Sequence, residues 1–172
     1  MMRRSYRALS AAVRKLGFPC FVKPANSGSS IGISKARDAA ELRRAADLAF
    51  RYDTRVLIEK GIDRAREIEV AVLGNDVPET SVPGEIVPSN EFYDYDAKYV
   101  DGKSTAQIPA ELPPRVLRTI RSVAARAYSA IGCEGMARVD FLLHPRTLRI
   151  WLSELNTIPG FTATSLLPKA EA

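Results

Sequence analysis

The sequence predicts an α+β fold in which antiparallel strands pair into sheets and helices pack on them. Two observations support this class. Apolar residues recur at helical spacing in three segments, near 5–16, 38–52 and 113–131. Two later runs, 137–143 and 148–154, are separated only by residues 144–147, so we expect an antiparallel hairpin there.

Residues with capping chemistry bound the three predicted helices. Gly17 and Gly132 end the first and third, and Pro113-Pro114 open the third. Asp38 and Glu41 form an Asp-x-x-Glu capping pattern at the start of the second. The apolar residues expected to be buried are Leu9, Ala12, Val13 and Leu16 in the first helix and Leu117, Ile120, Val123, Ala127 and Ile131 in the third.

Shorter runs of branched and aromatic residues predict further strands. These runs are 20–23, 56–59 and 68–73. Residues 75–112 contain no convincing helix, and prolines punctuate them. Long loops in compact domains are usually functional or disordered, so the aromatic run at 92–99 within this stretch is a candidate for a functional loop.

Composition and charge exclude several classes of protein. The chain has 172 residues, of which 46% are hydrophobic, and no apolar run approaches the ~20 residues needed to cross a bilayer. One histidine and two distant cysteines, Cys20 and Cys133, do not form a usual zinc site, and we expect two buried thiols in a reducing cytoplasm. The net charge is +5, but residues 1–16 hold five basic residues and no acid. Without them the chain has 20 basic and 20 acidic residues, so we predict no nucleic-acid or membrane partner. A transit peptide is the less favoured explanation of that basic segment.

A Gly/Ser loop follows the first predicted strand. Lys23 precedes it, and Gly28 and Gly32 allow its backbone to turn tightly, so that its amides can contact phosphate oxygens while the lysine supplies a positive charge. No Gly-Lys-Ser/Thr is present, which excludes a Walker A loop. An ordinary turn is the alternative.

Acidic and amide side chains alternate on the last two predicted strands. Arg138 and Asp140 share one strand face, as do Glu154 and Asn156. Such hard oxygen ligands suit Mg²⁺, with nucleotide phosphates completing the shell. The alternative is a solvated hairpin face. A turn centred on Pro145-Arg146 would place Asp140 opposite Trp151, about 10 Å from Glu154 at ~3.4 Å per residue, so a bulge or bridging by two ions is needed.

Two further stretches are candidates for nucleotide contacts. The aromatic run at 92–99 could form a lid that excludes water from a reacting phosphate, or could simply pack on the body. Glu59, at a strand end, could accept a hydrogen bond from an adenine amino group, and Glu67 could bind ribose. An ion pair of Glu67 with Arg64 or Arg66 is the alternative.

Seven motifs together resemble the D-alanine–D-alanine ligases of the ATP-grasp superfamily, in that family's order and over nearly the whole chain. They are Phe-Pro-Cys-Phe-Val-Lys-Pro (18–24), Ser-Gly-Ser-Ser-Ile-Gly (27–32), Ile-Glu-Lys-Gly-Ile (58–62), Arg-Glu-Ile-Glu-Val-Ala-Val-Leu-Gly-Asn (66–75), Glu-Phe-Tyr-Asp-Tyr-Asp-Ala-Lys-Tyr (91–99), Gly-Met-Ala-Arg-Val-Asp-Phe (135–141) and Ser-Glu-Leu-Asn-Thr-Ile-Pro-Gly-Phe-Thr (153–162). The tyrosine pattern of the fifth is similar to ligases of the D-alanine rather than the D-lactate type.

The resemblance implies a role for each candidate residue. Those expected to bind the nucleotide are Lys23, Ser29, Ser30, Glu59, Lys60, Ile62, Glu67, Tyr93 and Lys98. Those expected to act in catalysis are Arg138, Ser29, Tyr99, Lys98 and Gly160. Two Mg²⁺ ions, for which Mn²⁺ can substitute, would be bound by Asp140, Glu154 and Asn156. The carboxylate of the second D-alanine would be held by Ser165 and Leu166.

The implied reaction has two steps and serves peptidoglycan synthesis in the cytoplasm. ATP phosphorylates one D-alanine, and the amine of the second then attacks the acyl phosphate. Tyr93 and Tyr99 would close the lid, and Lys98 would touch the transferred phosphate. Arg138 would stabilise the acyl phosphate and the tetrahedral intermediate, and Gly160 the oxyanion. The resemblance also allows a homodimer.

The resemblance divides the chain into a basic helix (1–16), a small ATP-grasp lobe (17–75) and a large lobe (76–172) with a lid loop at 89–107. The family's separate N-terminal domain, part of its first-substrate site and its closing helix are not among these residues. We therefore expect the ATP- and magnesium-binding half of such a ligase. The alternatives are an inactive nucleotide-binding remnant and another ATP-grasp carboxylate–amine ligase.

Overall fold

A computed structural model describes residues 6–87 and 105–160, which divide into two compact units. The first comprises the described residues up to Asp63, and the second begins at Arg64. The sequence had suggested a lobe boundary after residue 75, but the strand over 66–73 pairs within the second unit. No helix in the described ranges is both long and apolar enough to span a bilayer.

The first unit is a small antiparallel sheet with two helices. Its elements are α1 (Tyr6–Leu16), β1 (Cys20–Pro24), β2 (Ser34–Ala36), α2 (Ala39–Ala49) and β3 (Val56–Lys60). The strand order is β2-β1-β3, so β1 lies in the centre. Cys20 and Val22 are fully buried against α2, whereas Phe21 and Lys23 lie on the other face of β1. That alternation places Lys23 on the face of the sheet away from α2.

Local sequence explains where these helices begin and end. Asp38 caps α2 by accepting from the amide of Glu41 at 2.8 Å, which confirms the predicted cap. The Glu41 carboxylate accepts from the amide of Arg37 at 2.7 Å rather than closing the box on Asp38 itself. Gly17 ends α1 with a φ of 77°, and its amide donates to the Val13 carbonyl.

The second unit is a six-stranded antiparallel sheet with one long helix packed on it. Its elements are β4 (Arg66–Leu73), β5 (Glu79–Thr80), β6 (Gly84–Val87), β7 (Thr105–Gln107), α3 (Pro114–Ala130), β8 (Met136–Leu143) and β9 (Ile150–Asn156). The order is β7-β6-β4-β8-β9, and β5 pairs with the end of β4. The sequence did not predict β5, β6 or β7, each of four residues or fewer, and β7 falls at the end of the predicted lid loop.

The core of the second unit lies between α3 and one face of the sheet. The buried stripe of α3 is Ile120, Ala124 and Tyr128, and it packs on alternate residues of β4 and β8. Of the residues predicted to be buried, Val13 and Ile120 are, while Leu9, Leu16, Leu117, Val123 and Ala127 are half-buried. The prediction for Ile131 was wrong, because it follows the last turn of α3 and is 60% exposed. The Ala12 side chain lies outside the described set.

Candidate functional site

The face of the first sheet away from α2 carries Lys23 and Glu59. Lys23 pairs with Leu57 across β1 and β3, and Glu59 lies diagonally from it. The ammonium Nζ of Lys23 lies 2.8 Å from Oε1 of Glu59. Both side chains remain partly exposed, at 28% and 51%, so the pair can open to admit a ligand. A phosphate group could compete for the lysine, since it carries more charge than a carboxylate.

Lys60 and Ile62 lie where β3 ends. Strand alternation places the Lys60 side chain on the opposite face from Glu59. Its Nζ donates to the carbonyl oxygen of Leu16 at 2.7 Å and so caps the C-terminal end of α1. Because this ammonium is engaged there, a nucleotide contact by Lys60 would involve its main chain. Ile62 is half-buried just beyond the strand.

The loop between β1 and β2 has an unusual backbone. Ser29, Ser30 and Gly32 have φ values of 52°, 60° and 75°, in the left-handed region. The amide of Ile31 donates to the Gly28 carbonyl at 3.0 Å, and that of Ile33 to the Ser30 carbonyl at 3.2 Å. Successive amides of a tight turn can point toward one side and bind an anion, which is the role expected of this loop.

The face of the second sheet opposite α3 is strongly acidic. Glu69 pairs with Asp140, which pairs with Glu154, so these three carboxylates form one row across β4, β8 and β9. Arg138 and Asn156 form the next row. Because residues two apart on a strand share a face, all five side chains lie on the same side of the sheet. Glu67 is on this face as well, half-buried one row further along.

Arg138 is the cation at the centre of this acidic face. Its Nε and Nη2 donate to the two carboxylate oxygens of Asp140, both at 2.7 Å. Oε2 of Glu69 lies 3.4 Å from Nε, and Oε1 of Glu154 lies 4.0 Å from Nη2. Burial alone would lower the pKa of Arg138, but the hydrogen bonds to Asp140 and the charges of all three carboxylates raise it above its ordinary value. The guanidinium is therefore permanently charged.

Among the described residues, the charge balance at this face favours a further cation. Three carboxylates surround one guanidinium, and Glu69 and Asp140 are largely buried. Burial raises the pKa of Asp140, and Glu154 adds to that rise while Arg138 opposes it. A divalent cation would neutralise the remaining charge, and Asp140, Glu154 and the Asn156 amide oxygen are donors of the hard type that Mg²⁺ prefers.

The donors do not form a closed metal cage. No group of three or more His, Cys, Asp or Glu residues in the described ranges is arranged to hold a metal ion. This fits Mg²⁺, which keeps several waters and commonly binds through one or two carboxylates plus substrate phosphates. The residues present therefore fit magnesium brought in with a nucleotide better than a resident structural ion.

A β-bulge brings Asp140 directly opposite Glu154. The strand register shifts by one residue between Asp140 and Phe141, where Phe141 pairs with Leu152. A turn centred on Pro145-Arg146 would have paired Asp140 with Trp151. The turn is longer than that, because Leu143 pairs with Ile150, and the bulge, which was one of the two expected alternatives, shifts the register by one further residue. Within that turn, Nδ1 of His144 accepts from the amides of two later residues, and the His144 amide donates to the carbonyl of Arg149 at 2.9 Å.

The structure adds residues that sequence reasoning missed. Glu69 is 8% exposed and contacts Arg138, and its place two residues after Glu67 on one strand was the available signal. An ion pair between Glu67 and Arg66 was the alternative to ribose binding by Glu67. It loses support, because the Arg66 guanidinium donates to both carboxylate oxygens of Glu85 on the helix side of the sheet. Asp53, which bonds to the loop after β1, gave no sequence signal.

Five of the predicted site residues lie outside the residues that the structure describes. These five are Tyr93, Lys98, Tyr99, Ser165 and Leu166. Gly160 is exposed at the end of the segment after β9, preceded by the buried Pro159. In that segment the Asn156 Oδ1 accepts from the amide of Ile158 at 3.4 Å.

Comparison with known proteins gives a consistent result. A family model described as "D-ala D-ala ligase C-terminus" matches residues 2–172. The chain is 56% identical over 163 residues to the D-alanine–D-alanine ligase of Thermoanaerobacter sp. (strain X514), covering 94% of this chain and 45% of that protein. It is 55% identical to the corresponding ligase of Chloroherpeton thalassium over 161 residues, covering 94% and 44%.

Solved structures of ligases superpose on nearly the whole of this chain. The D-alanine-D-alanine ligase of Coxiella burnetii superposes with a TM-score of 0.82 at 35% identity, over 98% of this chain and 44% of that one. The VanG D-Ala:D-Ser ligase of Enterococcus faecalis gives 0.85 at 37% identity, over 99% and 49%. The fold is therefore that of the ATP-grasp class. The chain belongs to the D-alanine–D-alanine ligase family and corresponds to its C-terminal part. It spans less than half the length of the curated relatives it matches.

Proposed function

We propose that the protein takes part in the ATP- and magnesium-dependent joining of two D-alanines, through an acyl-phosphate intermediate, for peptidoglycan synthesis. The observation that supports this most directly is the row of Glu69, Asp140 and Glu154 beside Arg138 on one sheet face. Family membership supplies the reaction class. The acidic row is what transfer of a phosphoryl group requires of a protein, namely fixed charges and ligands for a cation.

Each described residue would have a positioning or electrostatic task. Lys23 and the amides around Ser29 and Ser30 would hold the ATP phosphates. Asp140, Glu154 and Asn156 would hold Mg²⁺, which supplies charge neutralisation of the phosphates when bound. Arg138 would stabilise negative charge on the acyl phosphate and on the tetrahedral intermediate. Holding the reacting groups in line is worth several orders of magnitude in rate, so catalysis here would depend mainly on placement.

Glu154→Gln tests the metal assignment. It preserves shape but removes a charged oxygen ligand, and the side chain is 63% exposed, so folding should be little affected. We expect Mg·ATP affinity to fall by roughly 10- to 100-fold, in line with metal-site substitutions. Isothermal titration calorimetry with and without Mg²⁺ measures this. Glu79→Gln, an exposed carboxylate on β5 of the same unit, is the matched control. Equal affinities in both variants would refute the assignment.

Phosphate release tests the reaction and its amino acid. Because the chain spans less than half of its relatives, the assay mixes it with the N-terminal half of the Thermoanaerobacter relative. ATP-dependent release that is greatest with D-alanine supports the proposal. Greater release with D-serine, the substrate in the name of the Enterococcus relative, would reassign the acceptor. Nucleotide binding with no release for any amino acid would favour the inactive-remnant alternative.

Finer points remain predictions with direct measurements. We propose two Mg²⁺ ions, replaceable by Mn²⁺, which manganese electron paramagnetic resonance titration would count. We also propose a cytoplasmic homodimer, which sedimentation of the purified protein and fractionation of the source cells would check.

A further inference from the structure

We propose that the connection between α2 and β3 holds both ends of the phosphate loop, residues 25–32, in place. Asp53 holds the start of the loop, and Tyr52 covers its last residue. We assign both as positioning residues that act through the loop rather than on the nucleotide. The inference rests on the proposed function in one respect, namely that residues 25–32 bind ATP phosphates.

The first anchor is a hydrogen-bonded carboxylate. Oδ2 of Asp53 accepts from the Asn26 main-chain amide at 2.8 Å and from Nδ2 of the same residue at 2.7 Å. Oδ1 accepts from the Arg55 amide at 3.0 Å, which fixes the carboxylate within its own turn. The Ala25 amide donates to the Arg55 carbonyl at 3.0 Å beside it. The loop therefore leaves β1 already fixed to a segment 27 residues away in sequence.

These hydrogen bonds favour the ionised carboxylate. They lower the pKa of Asp53 below its ordinary value, with the Arg55 amide contributing most, although desolvation opposes the shift. Asp53 is therefore charged at neutral pH and acts only as an acceptor. A carboxylate repels a phosphate group, so we assign Asp53 to orienting the loop and not to binding the nucleotide.

The second anchor is a ring packed on a glycine. Gly32 closes the loop with a φ of 75°. A Cβ atom built on it would lie 2.6 Å from Cδ2 of Tyr52 and 2.9 Å from Cγ of Pro24. Such distances leave no room for a side chain, so the Tyr52 ring is seated directly on the glycine backbone. The ring is 54% exposed, so it contributes little to the core of the unit.

The loop needs such support because its conformation is unfavourable by itself. Two non-glycine residues in succession, Ser29 and Ser30, are left-handed, which the surrounding structure must enforce. Amides that bind an anion are effective only when they already point at it, because reorienting them on binding costs free energy. Tyr52 and Asp53 contact the two ends of the loop. They would therefore help to hold the left-handed conformation and to keep the amides oriented.

The experiment compares nucleotides with and without phosphates. For Asp53→Ala and Tyr52→Ala we expect affinity for ATP to fall roughly 5- to 50-fold, since a displacement of about 1 Å can cost up to ~10²-fold. Affinity for adenosine should change less than about twofold. Calorimetry measures the ATP affinity, and ligand-observed NMR measures weak adenosine binding. Thermal melting of each variant reports folding. Two control variants should bind ATP as the unaltered protein does. Tyr52→Phe retains the ring, and Asp76→Asn changes an exposed carboxylate of the second unit.

A paired substitution separates positioning from general destabilisation. Asn26→Ala combined with Asp53→Ala should lose little more ATP affinity than Asp53→Ala alone, because both changes remove the same side-chain hydrogen bond. Equal losses of ATP and adenosine affinity, or unchanged ATP affinity in both alanine variants, would overturn the proposal. Absence of ATP binding in the unaltered protein would instead contradict the proposed function itself, so the two failures are distinguishable.

Discussion

Arg138→Met should destabilise the second unit strongly. The substitution keeps an apolar stem of similar length but leaves Glu69, Asp140 and Glu154 facing one another without their guanidinium. Removing one partner of a buried ion pair costs about 3–5 kcal/mol. Arg138 retains 23% exposure and Asp140 16%, so water can relieve part of the repulsion and the lower end applies. We expect a loss of about 3 kcal/mol, a large share of the ~5–15 kcal/mol typical of a domain.

Urea unfolding monitored by tryptophan fluorescence measures this loss in the relevant unit. The chain has one tryptophan, Trp151, which lies on β9 with the Arg149 guanidinium 5.0 Å from its ring centroid. With a slope of about 1.5 kcal/mol per molar urea, the midpoint should fall by about 2 M. Arg121→Met is the control, since Arg121 is exposed and donates to Thr80 on the surface of the same unit. A midpoint shift no greater than that of the control would refute the reasoning.

Three smaller predictions test the packing and the caps. Tyr128→Phe should lower the free energy of urea unfolding by about 1 kcal/mol, because the buried ring stays but the hydroxyl that donates to the Gly74 carbonyl at 2.7 Å is lost. An unchanged free energy would mean that water replaces this hydrogen bond. Asp38→Ala should lower the stability of the first unit by about 0.5–2 kcal/mol in amide exchange of α2, and Asp38→Asn by much less. Native thiol labelling should modify the half-buried Cys133 before Cys20, which is fully buried and whose pKa burial raises; the reverse order would contradict the fold of β1.

The helices and the main hairpin could be predicted because local signals agree with packing. Asp38 begins α2 in the structure, as its capping pattern indicated, and Pro114 begins α3. The alternation of Arg138 and Asp140 with buried residues placed both on one face, and the structure confirms that placement. Each of these features is set within a few residues of the chain, which is why sequence reasoning reached them.

Features that depend on distant segments could not be predicted in the same way. Asp53 follows a helix like many other turn aspartates, and only the fold brings it to Asn26. The sequence grouped β4 with the small lobe, and its pairing with β6 and β8 could not be predicted, because nothing in its own residues identifies those partners. The two- to four-residue strands β5, β6 and β7 are too short to show a periodic pattern.

The bulge in β9 is a long-range feature that nevertheless has a local signal in the sequence. The apolar residues of this strand that pair with core residues of β8 are Ile150, Leu152 and Leu155, so their spacing changes from two to three, while Trp151 pairs with Leu142 on the opposite face. An unbroken register would pair Asp140 with Ser153 and would point Glu154 toward the buried Val139 side of the sheet. One extra residue, Ser153, reverses the alternation, which keeps Leu155 against the core and brings Glu154 to Asp140 on the open face. The two carboxylates of the candidate metal site are thus aligned by a change in hydrophobic spacing, because a strand cannot satisfy both the core and the site without the bulge.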